Sequence, residues 1–138
     1  MAKQKFEDHL IDLKIVDELV KNYDNKNYKE INSKRPSGKP DSKEYHFSLE
    51  ILQEYLEFVK KEAAKKGYIN VRIAVKMGQY PEKDVIGPLQ KPDTKGYQTV
   101  CFVPFYDEPT IAGKNSEENK SPGSAIPGMN FGDICPPH

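Results

Sequence analysis

The stretch that most constrains this chain is residues 47–77, where a helical pattern passes directly into a strand pattern. Ser48 stands where an N-cap hydroxyl can accept from an orphan amide of the first helical turn, and Phe47 and Leu52 flank it at the spacing of a hydrophobic staple. Leu52, Tyr55, Leu56, Val59 and Ala63 then recur by threes and fours and draw one apolar stripe. Lys60, Lys61, Lys65 and Lys66 gather toward the carbonyl end, where cations complement the helix dipole. Gly67 can take the left-handed conformation that stops a helix, and Tyr68 can fold back on it. From Ile69 the period changes to two. Ile69, Val71, Ile73, Val75 and Met77 alternate with Asn70, Arg72, Ala74 and Lys76, which predicts a strand with one buried face.

Around this unit the chain predicts further elements. Phe6, Leu10, Leu13, Val16, Val20 and Tyr23 keep helical spacing, so a first amphipathic helix is expected over 3–23. Ile11, Ile15 and Leu19 widen its stripe; packing on the domain's sheet is the first expectation for such a helix, and a second stripe that meets a partner or a second copy is the alternative. Residues 24–43 turn to Asn, Lys, Ser, Pro and Gly and read as a loop, with Tyr28 and Ile31 anchoring a short helical turn. Residues 44–47 read as a short strand. If it shares a sheet with 69–77, the two run parallel around the helix at 48–67. A second strand is expected over 97–106 and antiparallel to 69–77, with Pro104 placing its later half at an edge or bulge. Between them the loop 78–96 is long for a small domain. Residues 107–124 have the composition of a flexible segment. Ile126, Met129, Phe131 and Ile134 return among Pro and Gly, which predicts a docked, irregular tail over 125–138.

Together these elements predict a single α+β domain, two amphipathic helices packed on a small mixed or antiparallel sheet. The length of 138 residues fits one core. With 36% hydrophobic and 30% charged residues, that core is expected to leave part of the chain out. Lys plus Arg equals Asp plus Glu, so whole-chain charge predicts neither a nucleic-acid nor an anionic-membrane footprint. No run is apolar enough to span a bilayer, and a signal-peptide pattern is missing, so a cytoplasmic protein with reduced thiols is expected.

Signatures of chemistry are scarce. The chain has no Gly-rich phosphate loop, no paired histidines on a helix, no Cys-x-x-Cys and no nucleophile elbow. No cofactor is expected. Cys135 and His138 have a workable ligand spacing, but a structural zinc wants four ligands and the tail offers two. Cys101 would need a nearby base to act as a nucleophile, and His46 is the one histidine placed near the sheet. Tyrosine joins apolar area to a hydrogen-bonding tip. Tyr80 and Tyr97 bracket the long loop, and with Arg72 and His46 they form the candidate ligand or partner site.

Three short motifs carry a resemblance. Gly78-Gln79-Tyr80-Pro81, Gly96-Tyr97-Gln98-Thr99-Val100 and Asn130-Phe131-Gly132-Asp133-Ile134-Cys135-Pro136-Pro137 together resemble small bacterial proteins of uncharacterised function. The resemblance implies a bacterial source and names no activity, so it transfers no functional residue. The expected function is a non-catalytic protein–protein interaction or regulatory module, meeting an unknown partner or itself through the 3–23 helix. The alternatives are a small-ligand binder with a pocket between sheet, 78–96 loop and tail, and an enzyme using Cys101 or His46.

Overall fold

A computed structural model describes residues 4–109 and 126–135. Length alone favours one domain, but the chain falls into two compact units, Met1–Asp41 and Ser42–His138. The fold is α+β. Among the described residues no helix is long and apolar enough to cross a membrane.

In the first unit the helix expected over 3–23 is divided. Phe6–His9 forms a 3-10 turn, Leu10 and Asp12 are extended, and α1 runs over Leu13–Asn25. Spacing by threes and fours continues across that break because it records which side chains share a face, not whether the backbone is continuous. A second helix, α2 at Asn27–Ser33, occupies what the composition marks as loop. Tertiary anchors outweigh its weak propensity: the Tyr23 and Tyr28 rings lie 5.7 Å apart, and the Tyr28 hydroxyl donates to the Asp41 carbonyl at 2.6 Å.

In the second unit a short strand, β1 at Glu44–His46, precedes helix α3 at Leu49–Lys66. The Ser48 hydroxyl accepts from the Ile51 amide at 3.0 Å and so caps α3. At the other end Gly67 is left-handed (φ +72°), and the Tyr68 amide donates back to the Ala63 carbonyl at 2.9 Å. Glycine takes that conformation without the Cβ clash any other residue meets. Phe47, just before the cap, reaches the sheet. Its ring meets Phe102 edge-on at 5.0 Å, which ties the helix entry to the sheet.

Strand β2 at Ile69–Gln79 pairs antiparallel with β3 at Gln98–Asp107 in the register Val75↔Phe102. Tyr55, Val59 and Ala63 of α3 meet Tyr106 of β3 and Ile126 of the tail in one buried cluster, with Ile73 and Phe102 against it. Burying each of the larger side chains contributes about 1.5–3 kcal/mol. The crossover geometry does not arise, because β1 and β2 are in different sheets. β1 pairs antiparallel with a second short strand, β4 at Asp133–Cys135 in the tail. The tail is therefore partly regular where an irregular path is expected from its Pro and Gly. A Cβ on Gly132 would sit 2.5 Å from the Phe47 ring, so only glycine lets the tail pass there.

Pro104 fits β3 for a reason the ladder makes explicit. Phe102 exchanges both backbone hydrogen bonds with Met129 of the tail, at 2.8 and 2.9 Å. Its polar groups therefore point away from β2. Pro104, two residues on, has the same sense, and its nitrogen is not asked to donate to β2.

Burial also sets a pH dependence. The Tyr55 hydroxyl donates to the Pro127 carbonyl at 2.9 Å, and burial pushes its pKa from 10.0 up to about 12. Tyr106 is raised as well, first by burial and then by Tyr68 beside it. A phenol raised in the folded state contributes stability that is complete below its unfolded value near 10 and is lost as pH climbs through the folded one. For Tyr55 the unfolding free energy is expected to fall by up to about 2 kcal/mol between pH 10 and 12, and Tyr106 shifts it in the same direction. Denaturant titrations across that window should show the fall in the wild type and a smaller one in Tyr55→Phe.

Candidate functional site

The ladder of β2 and β3 continues one step past Gln79, with the Tyr80 amide donating to the Tyr97 carbonyl at 2.9 Å. The two tyrosines flagged by the loop are thus neighbours at the base of the hairpin. Both are buried, at 4% and 7% exposure, so they do not present their rings to solvent. The loop between them folds on a buried amide. Gln90 Oε1 accepts from the Ile86 amide at 2.8 Å, its Nε2 donates to Thr94 Oγ1 at 3.3 Å, and that hydroxyl donates to the Lys91 carbonyl at 2.7 Å. A 3-10 turn at Pro92–Thr94 and the Gly96 amide, which reaches the Tyr80 carbonyl at 3.2 Å, close the loop back onto the strand.

The tail completes the cluster through Asn130. The Tyr80 hydroxyl donates to Asn130 Oδ1 at 2.8 Å. Asn130 Nδ2 donates to the Val100 carbonyl at 2.6 Å, with Thr99 Oγ1 at 3.1 Å and Cys101 Sγ at 3.4 Å also in reach. One side-chain amide therefore joins the hairpin base to the tail. Phe131 next to it holds a left-handed backbone (φ +72°), a strained state for a bulky residue. A Cβ on Gly87 would lie 3.1 Å from its ring, so the loop passes the tail at a glycine.

Tyr80, Gln90, Lys91, Thr94, Phe131 and Ile134 are among the residues lining a cavity of about 30 Å³ between loop and tail. That is room for a water molecule, against the several hundred Å³ of small-molecule sites. Lys91 and Asp133, 3.8 Å apart, stand at its rim. The polar atoms in this cluster are spent on one another. It works as a clasp that holds tail to hairpin, and its geometry offers no room for a reacting substrate.

No family model, curated protein or solved structure matches the chain. Function must therefore be argued from where its side chains stand.

The other two residues of the expected site stand apart. Arg72 is eight residues along β2 from Tyr80, about 27 Å at the rise of a strand. It donates to the Asn70 carbonyl at 2.7 Å and lies 3.9 Å from the Asp107 carboxylate. His46 is across β1–β4 from Asp133, yet its exposed ring is 2.6 Å from the Glu44 carboxylate and faces solvent. Cys101 is half-buried opposite Lys76, and the polar group in reach of its sulfur is the Asn130 amide rather than an imidazole. No His, Cys, Asp or Glu cluster suited to a metal occurs among the described residues. Cys135 is in β4 opposite Glu44, and its proposed fellow ligand His138 lies outside the described residues. Sequence reasoning passed over Asn130, Gln90 and Thr94, the polar residues that organise the clasp. The available signal was a polar side chain between Gly128 and Gly132, in a stretch otherwise apolar.

Proposed function

We propose that this protein is a non-catalytic interaction module that binds a protein partner through the apolar stripe of α1. One observation carries the reading: none of α1 is buried, although its face holds Leu13, Ile15, Val16, Leu19, Val20 and Tyr23. Leu13 is 79% exposed and Leu19 57%, and Phe6 and Leu10 before the helix are exposed too. Lys14, Asp17, Glu18 and Lys21 occupy the other face. A helix so divided is suited to lying in a groove of another protein, where each buried leucine contributes about 1.5–3 kcal/mol. The filled clasp supports the same reading, since it leaves no preformed pocket at the place where a small ligand was expected. A cytoplasmic setting belongs to this reading and accords with the free thiol of Cys101.

The test is comparative capture from an extract of the source cells with wild type and with Leu13→Glu/Leu19→Glu. Both substitutions are on exposed positions, so the fold should survive, which circular dichroism checks. A protein held by the wild type and lost with the double variant is the expected result. Identical sets of captured proteins would remove α1 as the binding surface.

A further inference from the structure

Strand β2 has one edge on β3, and among the described residues no strand pairs with its other edge. The direction of its backbone groups follows from the ladder. Phe102 spends its amide and carbonyl on Met129, away from β2. The two residues of an antiparallel pair either both bond across the ladder or neither does. Val75, opposite Phe102, therefore also points its amide and carbonyl outward, and alternation extends this to Ile73 and Met77. The Tyr80 amide, of opposite sense, does bond to β3. The same open strand carries apolar side chains into solvent, Val75 at 58% exposure and Met77 at 66%. A long, apolar, open edge is what a further strand adds to.

We infer that the added strand is β2 of a second copy, joined antiparallel about a two-fold axis centred on Val75. Three features of β2 select this occupant and this register. A two-fold centred between residues would set outward-pointing groups against inward-pointing ones, so the axis falls on a residue. Centring on Ala74 opposes Arg72 to Lys76, and centring on Arg72 or Lys76 opposes that residue to itself; like charges directly opposite repel. Centring on Ile73 draws Ile69 and Asn70 into the pairing, where β2 is irregular, with Asn70 left-handed at φ +53°. Such a bulge ends regular pairing. Centring on Met77 leaves only 75–79 to pair before β2 ends at Gln79. Centring on Val75 pairs 72–78, all within the regular ladder. It sets Val75 against Val75, Ile73 against Met77, Ala74 against Lys76 and Arg72 against Gly78. The outward amides and carbonyls meet, apolar side chains face apolar side chains, and no like charges are opposed. The product is a four-stranded antiparallel sheet in the order β3-β2-β2-β3, an isologous contact.

This inference is independent of α1, and the experiment separates the two. Sedimentation velocity of the full chain over a wide concentration range should show a dimer for the wild type and monomers for Val75→Lys and Val75→Asp. Residue 75 faces its own copy, so an equal mixture of Val75→Lys and Val75→Asp should recover the dimer. Val75 directs none of its backbone bonds to β3, and circular dichroism of each variant should match the wild type. If Val75→Lys does not fold, Met77→Lys and Met77→Asp serve instead. Met77 faces Ile73 rather than itself, so each alone should be monomeric and their mixture should stay so. A wild type that is monomeric at the highest soluble concentration would overturn the inference. So would variants that dimerise like the wild type, or a dimer abolished by Leu13→Glu/Leu19→Glu and untouched at residue 75.

Discussion

Tyr106→Ala should lower the unfolding free energy by about 3–5 kcal/mol, the range for removing a large aromatic from a core. Tyr106 is 1% exposed and central to the cluster formed with Tyr55, Val59, Ala63 and Ile126. Its ring is stacked on Tyr68, with centroids 4.0 Å apart and planes 6° from parallel. Removing it leaves a void flanked by a helix, a strand and the tail, none of which can close in without breaking its own ladder or cap. Whole domains are stable by only about 5–15 kcal/mol, so the loss is a large share of the total. Urea unfolding followed by far-ultraviolet circular dichroism should show a much lower midpoint with a similar slope. Tyr106→Phe keeps the packing and should cost about 1 kcal/mol, the contribution of an ordinary hydrogen bond. A loss below 1 kcal/mol in the alanine variant would mean that the core is organised elsewhere.

The second large effect is expected at the clasp. Asn130→Ala takes the acceptor from the Tyr80 hydroxyl and the donor from the Val100 carbonyl, both on buried residues. Each buried polar group left without a partner costs about 1–3 kcal/mol, so about 2–6 kcal/mol is expected for the pair. The loss should be local before it is global. Hydrogen exchange should quicken at the Phe102 and Met129 amides, each of which donates to the other residue's carbonyl beside Asn130. Tyr80→Phe should cost less, since it removes one bond and leaves Asn130 on Val100. A double-mutant cycle should report coupling between the two positions. Full additivity would show that the contact at 2.8 Å contributes nothing.

What could be read from the chain follows a physical division. Ser48, Gly67 and the period change at Ile69 announce α3 and β2 because caps and alternation are local, settled within a few residues. Residues whose role depends on distant neighbours gave no such signal. Asn130 becomes the link between hairpin and tail only when Tyr80, 50 positions away, is folded beside it. Nothing local sets Gln90 apart from other polar loop residues, and it is buried because the loop wraps around its amide. The break between Phe6–His9 and α1 was hidden for the opposite reason, since the apolar spacing continues straight through it. Tyr80 and Tyr97 meet because they close the two ends of the loop. Arg72 and His46 stand apart from them, because sequence gives strand membership without distance along the strand.

The division also bears on function. The second unit spends its polar side chains near the loop on holding itself together. Its exposed apolar side chains are spread over the open edge of β2, α3 and the 78–96 loop, and those of the first unit include the stripe of α1. In the function proposed above, binding energy comes from these surfaces rather than from a cavity.

The most direct test of that claim compares two sides of one helix. A photo-activatable residue at position 19, on the apolar stripe, and another at position 17, about half a turn around α1, are introduced separately into the full chain and irradiated in an extract of the source cells. A discrete cross-linked protein is expected from position 19 and none from position 17. The same adducts from both positions, or none from either, would contradict the claim.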